Sequence, residues 1–274
     1  MKRHLIKTPV LVLVLIWTLF PIYWMVSMAV RDAEELRTSL SFWPSTFTFA
    51  NFIEVLSRTD FNVSILNSLR ITLISLTVAL VIGICCSYII ARVRYRYRLR
   101  IPLMFWILLV RILPPIAFAL PLYIMMNRVG LLGTRMPLVL AHVLINLPFI
   151  IWFMISFFAT VPVEMEESAK IDGASETQLF VRIVLPLVLP GVTAGAILSF
   201  MTSWNEYLYS VIFIQTPAHF TMPLLLSTMN SEQELVQWGA VAAGGVISMI
   251  PIILFVVFAQ NFLMKGLASG AVKE

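Results

Sequence analysis

The sequence predicts an all-α, polytopic membrane protein with about six transmembrane helices. Of its 274 residues, 60% are hydrophobic and only 12% charged, whereas a soluble domain carries about a quarter charged residues. Mean hydropathy is +0.93. The apolar residues gather into long continuous runs, and a bilayer-spanning helix needs roughly 20 of them. A membrane β-barrel would instead alternate over segments of about ten.

The first run, Thr8 to Val30, carries no charge. It follows Met1-Lys2-Arg3-His4-Leu5-Ile6-Lys7, which has the look of a secretory signal. A signal's apolar core is about 7–15 residues long and ends at small residues. Here bulky Phe20, Tyr23, Trp24 and Met25 occupy the second half, so an uncleaved span is expected. The second run, Ile71 to Ala91, is also uncharged and holds Cys85 and Cys86, too few and too close for a disulfide framework. Ile101 to Asn127 is interrupted by Arg111, and Met136 to Ala159 follows. Val184 to Ile214 contains Glu206, and Val236 to Met264 is the last. One transmembrane domain over 1–274 is expected, with spans 8–30, 71–91, 101–127, 136–159, 184–214 and 236–264.

Six spans put both termini on one side. If that side is cytoplasmic, it holds twelve of the 19 Lys and Arg residues, including Arg92, Arg94, Arg96, Arg98 and Arg100, and six lie outside. Basic residues favour the cytoplasmic loops. The Arg92–Arg100 run interleaves Arg with Tyr95 and Tyr97, a pattern also found against nucleic acid. With spans on both sides and no room for a domain, membrane lipid headgroups are its expected partner, not nucleic acid.

Catalytic patterns are missing. There is no Gly-x-x-x-x-Gly-Lys-Ser/Thr phosphate loop, no Gly-x-Ser-x-Gly elbow and no His-Glu-x-x-His pair. His4, His142 and His219 are scattered, so no metal site is expected. Intramembrane carboxylates mark ion-coupled carriers, and Glu206 is the one candidate. A chain with neither a fuel site nor an ion pathway draws its energy from a partner.

The 160–183 connection has its own logic. Pro162 suits a helix start, Glu164, Glu166 and Glu167 suit the positive end of the helix dipole, and Gly173 can end the helix in a left-handed residue. Ser175-Glu-Thr-Gln178 is a capping box for a second helix. Two short helices at a glycine corner can be an amphipathic surface element. They can also be a docking element, because Ser168, Ala169, Gly173 and Ala174 let another surface approach the backbone.

Glu167-Ser-Ala-Lys-Ile-Asp-Gly-Ala174, with Phe180, Ile183, Pro186 and Pro190 after it, resembles the Glu-Ala-Ala loop of ABC importer permeases of the carbohydrate, maltose/trehalose type. Ser168 replaces the first Ala of that pattern. Phe20-Pro-Ile-Tyr-Trp24, Asn51-Phe52, Asn67-Ser-Leu69, Pro121-Leu-Tyr123, Gly130-Leu-Leu132, Trp204-Asn-Glu-Tyr207 and the Gly266–Lys273 tail are similar to further stretches of the family, in the same order.

The resemblance implies a type I ABC importer permease fold in a bacterial or archaeal inner membrane. It implies a second homologous permease subunit, two ATPase subunits that bind ATP and Mg, and an extracytoplasmic substrate-binding protein that delivers a carbohydrate. The 160–183 loop would be the coupling element, with Glu167, Ser168, Ala169, Asp172, Gly173 and Ala174 making or shaping the ATPase contact. The chain itself would be a transport subunit, not an enzyme, with no cofactor of its own.

Arg111 lies mid-span, where a charge costs several kcal/mol, and Pro114, Pro115 and Pro121 break the helix after it. It is a candidate for the substrate pathway or a partner for another polar group. Trp204, Asn205 and Glu206 suit a sugar's apolar face and polar rim, and Glu206 can equally pair with Arg111. Gly191 with Gly195, and Gly239 with Ala243 and Gly244, read as helix-packing faces. The rival readings are an ion-coupled secondary carrier, a membrane-embedded enzyme, and an ABC permease for a non-sugar such as a polyol phosphate.

Overall fold

The computed structural model describes residues 2–38, 41–92, 97–231 and 238–270, and these are helical apart from short connections. Helices α1 (Lys2–Ala29), α2 (Ala33–Thr38) and α3 (Ala50–Ser57) precede α4 (Thr59–Arg92), α5 (Tyr97–Ile112), α6 (Ile116–Arg128) and α7 (Met136–Ala159). Then come α8 (Val163–Ile171), α9 (Glu176–Leu179), a π turn over Phe180–Val184, α10 (Leu185–Leu187), α11 (Leu189–Trp204) and α12 (Leu208–Phe213). A 3-10 turn at Pro217–His219, α13 (Met222–Ser231) and α14 (Trp238–Gly270) complete the chain.

Four helices are long and apolar enough to cross a membrane: Lys7–Ala29, Thr59–Arg92, Met136–Ala159 and Trp238–Phe262. The number reaches six if two bent pairs each count as one. Within the expected spans 101–127 and 184–214 the helices break, the first where its prolines predict. Pro102–Ile112 and Ile116–Arg128 meet at 91°, and Glu176–Leu187 and Leu189–Trp204 at 72°. Proline supplies the reason in both. Pro114 and Pro115 have no N–H to continue the ladder, and Pro186 and Pro190 flank the second bend. The 184–214 run stops again at Asn205, before α12. Arg94, Arg96, Lys273 and residues 232–237 lie outside the described residues, as do the side chains of Arg98, Arg100 and Lys265.

The chain forms two compact units, Met1–Ile65 with Met222–Ile250 and Leu66–Thr221 with Pro251–Glu274. In the first, Arg31 is fully buried. Its guanidinium donates to Ser27 Oγ at 3.1 Å and to the carbonyl of Ser41, lies 3.6 Å from Glu35, and sits 5.6 Å from the centre of the Trp24 ring. Glu35 also accepts the N–H groups of Ser45 (2.9 Å) and Thr46 (3.1 Å) and the Thr46 hydroxyl. The Ser45 N–H leads the groups that hold its carboxyl well below the usual range, at about 2. Asn51 donates to the carbonyls of Ala29 and Arg31. Gly239 leaves it room, since a Cβ there would come within 2.5 Å of Asn51 Oδ1.

In the second unit, the core runs from Ala79 on α4 through Ile150, Met154 and Phe158 on α7 to Ala169, Leu179 and Val184. Lipid gives little hydrophobic drive between helices, so close van der Waals contact and buried hydrogen bonds must hold them. Gly83 lets α4 close on α7, where a Cβ would come within 2.6 Å of Ile150. Gly191 and Gly195 sit against the rings of Phe157 and Phe153, as a helix-packing pair should. Asn146 donates to Ser203 Oγ at 2.7 Å, with both residues buried.

Candidate functional site

The 160–183 segment folds as its sequence predicts. Pro162 precedes α8, and Ser175 and Gln178 form the capping box of α9. Gly173 has φ +84°. Its N–H bonds the Lys170 carbonyl, and the Ala174 N–H bonds that of Ala169 at 2.9 Å, the paired pattern of a Schellman corner. Across the corner Lys170 meets Glu176 at 2.6 Å, and that contact raises the lysine's pKa.

Two helix faces divide the labour. Inward, Glu166 is 6% exposed and Ala169 8%. Arg92 Nε donates to Glu166 Oε1 at 2.6 Å, Arg92 Nη2 to the Val161 carbonyl, and the Tyr88 hydroxyl to Glu166 Oε2 at 3.0 Å. Tyr88 in turn packs against Phe158 and Phe180. A carboxylate held by two side chains of α4, Arg92 and Tyr88, fixes α8 to the end of that helix. Outward stand Glu167, Ser168, Asp172 and Gly173, with Met165 at 43% and Ile171 at 86% exposure.

This corrects one expectation. Ala169 does not offer a small face to a partner, because it is one helical turn from Glu166 and packs into the unit's own core. Ala174 is half-buried beside it. Sequence reasoning overlooked Arg92 and Tyr88 as anchors of this corner. It also passed over Met165 and Ile171, whose signal was an apolar side chain within a charged, non-membrane segment.

The membrane candidates separate. Arg111 ends α5 at the break, exposed, with its guanidinium 4.7 Å from the centre of the Phe149 ring. Two cavities of about 260 and 440 Å³ both reach Arg111 and Thr202, and the larger also reaches Asn205. Thr202 and Asn205 donate to the carbonyls of Leu198 and Met201 on their own helix, so their side-chain oxygens remain acceptors. The Pro115 carbonyl, which accepts the Phe118 N–H at 3.1 Å, also accepts the Tyr209 hydroxyl at 2.8 Å.

Trp204 and Glu206 line neither cavity. Trp204 is 1% exposed and stacks on Phe200. Glu206 lies 3.4 Å from His142 Nε2 and accepts the N–H groups of Tyr209 (2.8 Å) and Ser210 (3.3 Å). It caps α12, where a carboxylate meets the positive end of the helix dipole. Arg111 and Glu206 are not paired, and among the described residues Arg111 joins no ion pair.

Residues 79–269 match the family described as binding-protein-dependent transport system inner membrane component. The chain is 32% identical over 263 residues to the trehalose transport system permease protein SugB of Mycobacterium tuberculosis, covering 95% of this chain and 94% of that one. It is 31% identical over 263 residues to the diacetylchitobiose uptake system permease protein DasC of Streptomyces coelicolor, covering 96% and 94%. Among solved structures, a chain of a bacterial ABC transporter involved in import of the acidic polysaccharide alginate has a TM-score of 0.79 at 20% identity, covering 95% of this chain and 96% of that one. At that identity the likeness concerns the fold.

Proposed function

The chain belongs to the family of binding-protein-dependent transport system inner membrane components, and on that footing we propose that it forms half of the passage for a saccharide in an ABC importer. The trehalose and diacetylchitobiose systems of its relatives support the saccharide. A second, homologous permease subunit completes the passage, two ATPase subunits bind ATP and Mg, and an extracytoplasmic protein delivers the cargo. Both termini and the 160–183 segment face the cytoplasm, in line with the distribution of basic residues.

The observation that carries the coupling role is the two-faced α8. Its inner face is locked by Glu166 to Arg92 and Tyr88, while Ile171 and Met165 stand in the open outside any span. A large apolar residue left bare on a water-facing helix fits a partner's pocket. Pinned on one side, the helix can pass a push from an ATPase to α4 without bending away. Cargo passes between Arg111, at the break between α5 and α6, and Thr202 and Asn205 at the end of α11.

Affinity purification of the chain from its native membrane should bring an ATPase and a second permease with it. Purified chain alone, reconstituted into vesicles, should take up no sugar under any ion gradient. Uptake by the isolated chain would replace this reading with that of a secondary carrier.

A further inference from the structure

Arg111 is the single charged residue among those lining the two cavities. We propose that the cavities form a station selective for acidic saccharides, in which Arg111 takes the acid group while Thr202 and Asn205 accept hydrogen bonds from ring hydroxyls. The proposal rests on the permease reading above and deepens it.

Four facts on the molecule combine. First, the one acid on the run that carries Thr202 and Asn205 is already committed. Glu206 is 8% exposed at its side chain and occupied by His142 and two backbone N–H groups. Second, Arg111 is compensated only in part. The Phe149 face and the negative end of the α5 dipole each contribute about 0.5–1 kcal/mol, below the several kcal/mol that a mid-membrane charge costs. Third, a neutral sugar needs no permanent cation, because amides and hydroxyls satisfy its hydroxyl groups without that cost. A guanidinium is matched by a carboxylate, sulfonate or phosphate, whose paired oxygens meet its fork of donors.

Fourth, Thr202 and Asn205 present acceptor oxygens to the same cavities. The Thr202 and Asn205 side-chain oxygens are acceptors, suited to hydroxyls and unsuited to an anion. The site therefore carries one donor-rich point for the acid and an acceptor-rich flank for the sugar. Phe149, Leu144, Ile145 and Pro148 line the cavities beside Arg111 with apolar surface, and low-dielectric walls strengthen a charge contact. A neutral sugar passing the station leaves the cation uncompensated.

The test uses the whole importer in proteoliposomes. The probes are a panel of neutral disaccharides and their C6-uronate counterparts, each at a concentration shown by titration to saturate the binding protein. Wild type should carry at least one uronate, and Arg111→Gln should cut its uptake by about tenfold or more relative to a neutral partner while the complex still co-purifies. Arg111→Lys, which keeps charge but loses the fork, should retain roughly a third. Thr202→Asp leaves the arginine in place and sets a carboxylate beside it, and should suppress uronate uptake about as strongly as Arg111→Gln.

Uptake of a neutral disaccharide in preference to its uronate, unchanged in Arg111→Gln, overturns the acidic cargo and leaves the permease reading intact. If Arg111→Gln prevents assembly while Thr202→Asp carries the uronate normally, Arg111 is an intersubunit contact and the station is wrong. Uptake of no saccharide of either kind by a complex that still hydrolyses ATP removes the saccharide reading itself.

Discussion

Arg92 and Arg111 both lie over an aromatic ring, 6.0 Å from the centre of Tyr88 and 4.7 Å from that of Phe149. They differ in what stands opposite. Arg92 meets Glu166, a carboxylate that also holds Tyr88, so charge and donors are used up inside the chain. Arg111 meets no carboxylate among the described residues, and opens on cavities. Arg31 repeats the first case, with Trp24 beneath it and Glu35 beside it. A paired arginine builds the scaffold, and an unpaired one keeps its binding capacity for something that arrives. Local sequence does not separate the two kinds, since each sits beside apolar residues at a helix end.

The comparison is open to attack from the docking end first. Gly173→Trp should abolish substrate-stimulated ATP hydrolysis while the subunit still reaches the membrane. The residue has φ +84°, where any side chain is strained, and the space around its Cβ is empty in this chain, so an indole is free to stand in a partner's way. Stimulated hydrolysis at the wild-type rate would remove the corner from the coupling contact. Next, Glu166→Ala leaves Arg92 without its counter-ion, and stimulated hydrolysis should fall by about tenfold, roughly 1.4 kcal/mol. The double exchange Arg92→Glu with Glu166→Arg should restore part of that loss, and two additive losses would show that the pair does not act as a unit.

A smaller effect is expected at the outer face. Ile171→Ser removes apolar contact without disturbing the Glu166 lock, so stimulated hydrolysis should drop about threefold with assembly intact. An unchanged rate would mean that the exposed isoleucine meets no partner.

The smallest effect concerns the Arg31 pair and is one of pH. Glu35 has its carboxyl depressed to about 2 by the Ser45 and Thr46 N–H groups. Its contribution is therefore complete above the ordinary carboxyl pKa and lost as pH falls from roughly 4.3 towards 2. Amide exchange at Ser45 and Thr46 should show equal protection at about pH 7 and pH 5 and reduced protection near pH 3. Protection lost already near pH 5 would mean that these hydrogen bonds do not hold the segment.

Much of the 160–183 corner was legible because its causes are local. Pro162, Gly173 and the Ser175–Gln178 box act over three or four residues, and the described backbone follows them. Arg92 was legible only as a topology signal, because its partner Glu166 lies 74 positions along the chain. Ala169 misled for a related reason: a small residue in a helix serves close approach on whichever face it points to, and its sequence does not say which.

The sequence by itself determined that this chain is helical, belongs in a bilayer and turns a glycine corner between two short helices at 160–183, since composition, apolar run length and turn chemistry are all short-range properties. The prolines at 114 and 115 likewise announced a break after Arg111. Only the tertiary structure decided the rest. The break bends by 91°, Tyr209 takes up the Pro115 carbonyl, Glu206 caps a helix rather than answering Arg111, and Trp204 turns into the core. Which of two intramembrane charges becomes scaffold and which stays available depends on the groups that folding brings within about 4 Å, and that distance is set by helix packing, not by position in the chain.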